Sequence, residues 1–155
     1  YMQSEFAERQ KHDIMRDIDA LGSLVFYVLL MIFFFALNDY GSLEKLFVGV
    51  ILMYLVTIII RLVYFKNRPD KFAYHNVIEK IDAASFPSLH AARTGFLSVF
   101  FAYYFNNMPL SVILAVLALG ILFSRVYLRK HDFRDVLAGA VLGVLAYFAV
   151  NLILV

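Results

Sequence analysis

Residues 46–65, LFVGVILMYLVTIIIRLVYF, form an apolar run with a single charge, Arg61. A helix of about 20 residues, rising 1.5 Å per residue, spans the roughly 30 Å hydrocarbon core of a bilayer. Four more stretches have similar length and character, at residues 21–37, 86–105, 110–128 and 135–155. The pattern predicts an all-α integral membrane helical bundle of about five transmembrane helices.

The composition supports this prediction. Of the 155 residues, 63% are hydrophobic and 17% are charged, and the mean hydropathy is +0.77, which excludes an ordinary soluble domain. We expect residues 21–155 to form a single membrane-embedded domain. Residues 1–20 are charged, but apolar residues recur at helical spacing in this segment and directly after it, at Ala7, Ile14, Ile18 and Leu21. This spacing predicts an amphipathic interfacial helix on the membrane surface.

The basic residues are distributed unevenly. Alternating the predicted spans places residues 1–20, the long loop 66–85 and the hinge 129–134 on one side of the membrane. Of 14 Lys and Arg residues, only Lys45 lies on the other side. The positive-inside tendency therefore predicts that the basic side faces the cytoplasm across the cell membrane. A net charge of +2 without a continuous basic face gives no indication of nucleic-acid binding, and nothing in the sequence indicates an oligomeric state.

Several charged or titratable side chains lie in or beside the spans, all toward the basic side. A charged residue at the middle of a transmembrane helix costs about 2.5–3.5 kcal/mol on insertion scales, so each needs a reason. They are Arg61, His90, Arg93, Arg125 and Asp135. They come from four spans, and we expect them to converge at one depth. Ordinary structural interpretations remain open, since each Arg can anchor at the headgroups and His90 can serve in helix packing.

His131 and Asp135 are four residues apart where a helix is predicted to begin. At that spacing the carboxylate can accept a hydrogen bond from one imidazole nitrogen and leave the other free to react. Guanidinium groups suit tetrahedral oxyanions, and one His can attack phosphorus while another protonates the leaving oxygen. The chain has no Cys and no carboxylate cluster, which argues against a two-metal hydrolase. These residue types therefore predict phosphoryl transfer without a metal ion.

A longer motif surrounds these residues at 124–143, SRVYLRKHDFRDVLAGAVLG. It contains Ser-Arg, five residues, His, three residues and Asp, at Ser124, Arg125, His131 and Asp135. This spacing resembles the third motif of the phosphatidic acid phosphatase type 2 superfamily, which also includes vanadium haloperoxidases and bacterial acid phosphatases. Four fixed residue types at set spacing form a specific signal.

Two more motifs carry the same resemblance. The family's first motif is Lys, six residues and Arg-Pro, and this chain has Arg61, six residues, Arg68 and Pro69, with Arg in place of Lys. The second is Pro-Ser-Gly-His, and residues 87–90 match it except at Leu89. The resemblance extends from about residue 46 to residue 155.

The resemblance implies a role for each matched residue. His131 would attack phosphorus to give a phosphohistidine, oriented by Asp135, and His90 would protonate the leaving group and later activate water. The phosphate-binding residues would be Arg61, Arg68, Ser88 and Arg125. Further candidates near the motifs are Lys66, Leu89, Arg93 and Ser124. No metal or other cofactor is implied.

The resulting expectation is a lipid phosphatase that acts on a phosphomonoester or diphosphate such as phosphatidate, phosphatidylglycerophosphate or a polyprenyl diphosphate. Two alternatives remain. Leu89 in place of Gly is closer to the inositol phosphorylceramide synthase branch, whose members transfer a head group to an alcohol, and a non-catalytic membrane relative could keep the fold.

Overall fold

The structure is a computed structural model, and it describes residues 2–68 and 76–154. This part of the chain forms seven helices and one isolated bridge between Asn67 and Ala84. The helices are α1 (Met2–Ala20), α2 (Leu24–Ala36), α3 (Tyr40–Val63), α4 (Val77–Ala83), α5 (Leu89–Phe105), α6 (Met108–Tyr127) and α7 (Phe133–Ile153). The predicted all-α membrane fold is confirmed.

Polar residues set the beginnings of the helices from α2 onward. In each case a side chain just before the helix accepts a hydrogen bond from a backbone N–H in its first turn, which satisfies a donor that has no partner within the helix. These capping residues are Ser23, Asp39, Asn76, Ser88, Asn107 and Asp132. The tight turns after α2 and α5 place Asn38 and Asn106 in the left-handed region, which Asn tolerates better than most residues.

The α5 helix lies at the centre of the bundle and packs mainly on α7. Two glycines of α7 allow this close approach. A Cβ at Gly139 would lie 2.2 Å from the carbonyl oxygen of Ser88, and one at Gly143 would lie 1.9 Å from that of Ala92. The glycines therefore fix the start of α5 against the start of α7, where several of the polar residues lie.

The predicted spans correspond to α2, α3, α5, α6 and α7. Within the described residues, α3, α6 and α7 are each long and apolar enough to cross a membrane, with 24, 20 and 21 residues. A fourth span is reached if α1 and α2, which meet at a bend of 43°, are taken as one. The count of five is therefore approximate, because α2 has only 13 residues and the buried α5 has 17.

The N-terminal segment is helical, as predicted, over Met2–Ala20. It packs along α6, and most of its side chains are exposed. Its last turn differs from the rest, because Asp19 is buried with only 6% of its surface exposed. The segment thus reaches the interior of the bundle, which the sequence pattern did not predict.

Candidate active site

A polar cavity of about 170 Å³ opens where the ends of α3, α5 and α6 meet the loop that precedes α7. Seven of the residues singled out from the sequence line it. These are Arg61, Arg68, Leu89, His90, Arg93, Arg125 and His131. Two side chains that the sequence analysis missed, Tyr54 and Asp82, complete the wall. The cavity therefore brings two imidazoles and four guanidinium groups together.

His131 lies in the short connection between α6 and α7. The connection turns sharply because Arg129 adopts a left-handed conformation and the backbone N–H of His131 donates to the carbonyl of Arg125 at 3.3 Å. The His131 side chain is 3% exposed. Burial, and then the positive charges of Arg125, Arg68 and Arg61, lower its pKa to about 3. The imidazole is therefore neutral at physiological pH, with a lone pair available for attack.

Asp135 approaches His131 but does not make the hydrogen bond that the spacing predicts. Its Oδ2 lies 3.7 Å from Nδ1 of His131, beyond hydrogen-bond range, and Nδ1 has no hydrogen-bond partner within residues 2–68 and 76–154. The reason is that other groups hold the carboxylate. Oδ1 accepts from Nζ of Lys66 at 2.6 Å, and Oδ2 accepts from the backbone N–H of Asp132 at 3.3 Å.

Lys66 lies beside the cavity wall, where it donates to the carboxylates of both Asp132 and Asp135. Burial lowers its pKa, but these hydrogen bonds outweigh burial and leave the pKa above the ordinary value. Lys66 is therefore positively charged, and its ion pairs with these two carboxylates fix the start of α7.

Arg61 and Arg68 are fixed to the main chain of α4 and of the segment that joins α4 to α5. Arg61 donates to the carbonyl of Ile81 at 2.9 Å and to that of Pro87 at 3.1 Å, and Arg68 donates to the carbonyl of Asp82 at 2.7 Å. Main-chain partners hold each guanidinium without neutralising it, so the positive charge remains available to an anion. Pro69, the last residue of the first motif, lies outside the described residues.

Two of the guanidinium groups have a buried N–H donor without a hydrogen-bond partner in the described residues. Among the residues that the structure describes, the Nε atoms of Arg61 and Arg125 have no hydrogen-bond partner. A buried donor without a partner costs about 1–3 kcal/mol, so such atoms indicate a site shaped for an acceptor. A tetrahedral oxyanion such as phosphate supplies several acceptors at once.

Arg93, on the first turns of α5, extends the basic wall toward α2 and α3. Its Nε donates to the carbonyl of Gly22 at 3.2 Å, and its Nη1 donates to the hydroxyl of Tyr54 at 3.2 Å. The sequence analysis gave Arg93 only as a candidate outside the motifs, and the structure places it on the cavity.

The two motif serines lie outside the cavity wall. Ser88 is fully buried, and its hydroxyl accepts from the backbone N–H of Ala91 at 3.4 Å as the cap of α5. Ser124 is also fully buried and donates to the carbonyl of Ile121 at 2.7 Å. The Ser88 hydroxyl therefore caps a helix, whereas it was expected to bind phosphate directly. The Ser124 hydroxyl also lies 3.3 Å from Oδ1 of Asp19.

Arg125 has a partner that the motifs did not indicate. Its Nη1 lies 3.0 and 2.9 Å from the two carboxylate oxygens of Asp19, which also accepts from Nζ of Lys130 at 3.0 Å. The Nε2 atom of His90 lies 2.8 Å from the carbonyl oxygen of Asp19. Sequence reasoning missed Asp19 because it lies in a charged segment, and nothing in that segment distinguishes it from neighbouring acidic residues.

The described residues contain no group of three or more His, Asp or Glu side chains that could hold a metal ion. The donors around the cavity are instead dominated by guanidinium groups, which repel cations. The arrangement suits nucleophilic attack by an imidazole on an anionic phosphorus centre, with cations in the place that a metal fills elsewhere.

Comparisons with known proteins agree with this chemistry. The sequence profile of the PAP2 superfamily matches residues 42–154. Undecaprenyl-diphosphatase BcrC of Bacillus subtilis (strain 168) is 35% identical over 101 residues, which are 64% of this chain and 49% of that protein. The chain thus spans about half the length of this curated relative.

Two solved structures share the architecture. The crystal structure of LpxE from Aquifex aeolicus has a TM-score of 0.74 at 21% identity, covering 92% of this chain and 86% of that chain. A transmembrane PAP2-type phosphatidylglycerolphosphate phosphatase from Bacillus subtilis has a TM-score of 0.72 at 27% identity, covering 93% of this chain and 76% of that chain. The fold is therefore that of transmembrane PAP2 proteins.

Proposed function

Because the chain belongs to the PAP2 superfamily, we propose that it is a metal-independent membrane lipid phosphatase acting through a phosphohistidine. The observation that carries the proposal is the shared cavity, in which His131 and His90 lie with four guanidinium groups. The names of its relatives, an undecaprenyl-diphosphatase and a phosphatidylglycerolphosphate phosphatase, support the substrate class. The proposed catalytic and phosphate-binding residues all lie in the membrane-embedded domain, residues 21–155.

In the first step, Nε2 of His131 attacks phosphorus. The N–P bond forms as the bond from phosphorus to the leaving oxygen breaks, and His90 gives that oxygen a proton. Neutral His131 suits this step, because a protonated imidazole has no lone pair to donate. Arg61, Arg68 and Arg125 stabilise the charge on the phosphoryl oxygens.

In the second step, water attacks the phosphohistidine. His90, now neutral, takes a proton from the water as the new P–O bond forms and the P–N bond breaks. The arginines stabilise the negative charge of the inorganic phosphate until it leaves. His131 returns to its starting state. Asp135 lies 3.7 Å from Nδ1 and stabilises the positive charge that develops on His131 during both steps.

The substrate is a lipid phosphomonoester or diphosphate of the phosphatidate, phosphatidylglycerophosphate or polyprenyl diphosphate type. Large apolar side chains are exposed around the helices, as at Leu29, Ile59, Leu119 and Leu145. They keep the bundle in the bilayer, so a lipid reaches the cavity sideways with its head group at the level of the arginines.

A phosphate-release panel tests the proposal. We expect the detergent-purified chain to release phosphate from at least one of the three lipids in excess chelator, with inhibition by vanadate. His131→Ala should abolish turnover, because no covalent route remains. An absolute requirement for a divalent metal would contradict the proposal, and near-normal turnover by His131→Ala would also contradict it.

A phosphotransferase is the second candidate, and Leu89 is the observation that favours it. Its apolar side chain lines the cavity at the position where the family motif has Gly, so it restricts the space next to His90 in which water must sit. Product analysis with and without an added alcohol separates the two activities. A phosphorylated alcohol formed in preference to inorganic phosphate would favour transfer.

We also propose that the cavity faces the cytoplasm in the cell membrane. The support is the distribution of basic residues, of which only Lys45 lies on the opposite side. The chain has no Cys, so Ala73→Cys introduces a single reporter in the loop 66–85. An impermeant thiol reagent should label it only after cells are opened, and labelling of intact cells would place the cavity outside.

A further inference from the structure

The carboxylate of Asp19 is buried behind the proposed site, although it comes from the N-terminal helix. It is 6% exposed and does not line the cavity. It nevertheless contacts two residues that do, His90 and Arg125, as well as Lys130 and Ser124 from α6 and the loop after it. A buried carboxylate with this many partners fixes the groups around it.

The contact between Asp19 and Arg125 leaves part of the guanidinium free to bind a second anion. Both hydrogen bonds from Arg125 to Asp19 start at Nη1, at 3.0 and 2.9 Å. The Nε atom has no partner within the described residues, so the Nε–Nη2 edge remains for a second acceptor. A planar guanidinium can hold one anion on each edge, and Asp19 therefore anchors Arg125 without taking the place of phosphate.

Its contact with His90 fixes the imidazole. The Nε2 atom of His90 lies 2.8 Å from the Asp19 carbonyl oxygen and 3.3 Å from Oδ1. Two acceptors at Nε2 require a proton there, which leaves Nδ1 to exchange a proton with the leaving group or water. The positive charge of the protonated form is also balanced by the carboxylate.

The contacts of Asp19 depend on the bend that directly follows it in the chain. A Cβ at Gly22 would lie 2.4 Å from Nε2 of His90 and 2.7 Å from Oγ1 of Thr94. A larger residue here would displace His90 or Thr94, so Gly22 lets the bend between α1 and α2 approach α5 while His90 keeps its contact with Asp19.

We infer that Asp19 is a positioning residue of the active site, one that orients His90 as the proton donor and anchors Arg125 for the phosphoryl group. The inference rests on the proposed phosphatase function. It makes the N-terminal helix, which lies outside residues 42–154, a working part of the site.

The test compares two leaving groups in the purified 155-residue chain. An alkoxide, as in phosphatidate, needs a proton to depart, whereas the phenolate of p-nitrophenyl phosphate does not. The variants are Asp19→Asn and, as a matched control on the exposed side of the same helix, Asp17→Asn. For each, kcat/KM is measured on both substrates, together with the Ki of inorganic phosphate and the midpoint of thermal unfolding.

We expect Asp19→Asn to lower kcat/KM for phosphatidate by about 10- to 100-fold, within the roughly 10²–10⁴-fold that a general acid contributes. The loss for p-nitrophenyl phosphate should be at least about fivefold smaller, because that substrate does not use the proton. The Ki of phosphate should change by less than about threefold, because removing the negative charge strengthens phosphate binding while loosening Arg125 weakens it. Asp19→Glu should recover part of the phosphatidate activity, and Asp17→Asn should behave as the wild type.

Three results would overturn the inference while leaving the phosphatase function intact. Asp19→Asn could match Asp17→Asn, it could lose both activities equally with a higher Ki and a lower unfolding midpoint, or it could become more active. The last result would make Asp19 a competitor of phosphate for Arg125. If phosphatidate is not cleaved, the lipid that the phosphate-release panel identifies takes its place. If the wild type releases phosphate from none of the three lipids, the proposed function fails and the inference fails with it.

A second variant decides the question if Asp19→Asn does not accumulate. Asp19→Glu keeps the charge but moves the carboxylate by one methylene relative to His90 and Arg125. It should show a smaller but still selective loss of phosphatidate activity, and equal losses on the two substrates would contradict the inference.

Discussion

The two ends of the helical bundle bury different kinds of side chain, aromatic at one end and positively charged at the other. At one end, aromatic rings interlock, with Phe34 and Phe100 at 5.6 Å and Phe96 and Tyr147 at 5.7 Å between ring centroids, both near perpendicular. A polar atom buried near this cluster, the hydroxyl of Tyr27, donates to the carbonyl of Leu46 in α3 at 2.9 Å. The buried hydroxyl at this end thus has a hydrogen-bond partner.

The other end buries cations around a cavity and leaves donors of two of them without partners in the described residues. Burying these charged groups costs desolvation free energy, and the hydrophobic contacts around the cavity do not offset it. The apolar end therefore contributes the free energy of unfolding that offsets the cost of burying cations at the charged end. Substitutions at the two ends should therefore separate, with activity lost at one and stability lost at the other.

The largest effect should come from the charged end, in Arg125→Ala. Removing a preorganised charge stabiliser should lower kcat/KM for the lipid substrate by roughly 10²–10³-fold, because no other group replaces its fork on the phosphoryl oxygens. Phosphate release by the purified variant measures this. Arg134→Ala is the matched control, since Arg134 is an exposed cation at the start of α7. A loss of less than fivefold in Arg125→Ala would place Arg125 outside the chemistry.

The apolar end should respond in the opposite way. Phe96 is fully buried, and Phe96→Ala should cost about 3–5 kcal/mol in the free energy of unfolding, because the cavity it leaves cannot close. The activity per folded molecule should remain near that of the wild type. Denaturant unfolding in detergent measures the first quantity, and phosphate release below the transition measures the second.

Phe123→Ala provides the control, because that side chain is 57% exposed on the outside of α6. It should cost far less than Phe96→Ala. Equal costs for the two variants would show that the aromatic cluster does not stabilise the bundle more than the outer surface does.

The smallest effect concerns pH. The pKa of His131 is about 3 in the folded chain, below the ordinary 6.5, so the unfolded chain binds more protons between these values. Stability from this group is therefore complete above about pH 6.5 and declines as the pH falls toward 3. The unfolding midpoint of His131→Asn should fall less than that of the wild type between pH 7 and pH 5. Parallel curves would show that the imidazole is not shielded from protons.

Much of this arrangement could be predicted from the sequence, for definite reasons. Apolar runs of bilayer length specify spans, and cations near one end of several spans indicate a shared depth. The fixed spacing of Ser124, Arg125, His131 and Asp135 predicted that the end of α6 and the start of α7 belong to one site. The structure accordingly places Arg125 and His131 on the same cavity.

Other features depend on contacts that no local pattern records. The sequence could not show that Lys66 holds Asp135 away from His131, or that the hydroxyl of Ser88 is taken by the cap of α5. Asp19 contacts residues 71 and 106 positions away, and this depends on the bend at Gly22. Such long-range contacts follow from packing, which periodicity does not specify.

The most direct test of the central claim is to trap the covalent intermediate. The lipid that the phosphate-release panel identifies as a substrate is labelled with ³²P in the phosphoryl group that is cleaved and is mixed with the purified chain in excess chelator. The mixture is quenched in base, because a phosphohistidine survives base and decays in acid. We expect label on His131 alone, and none on the His131→Ala variant under the same conditions. Label on another residue, or rapid hydrolysis by a chain that never carries label, would contradict the account.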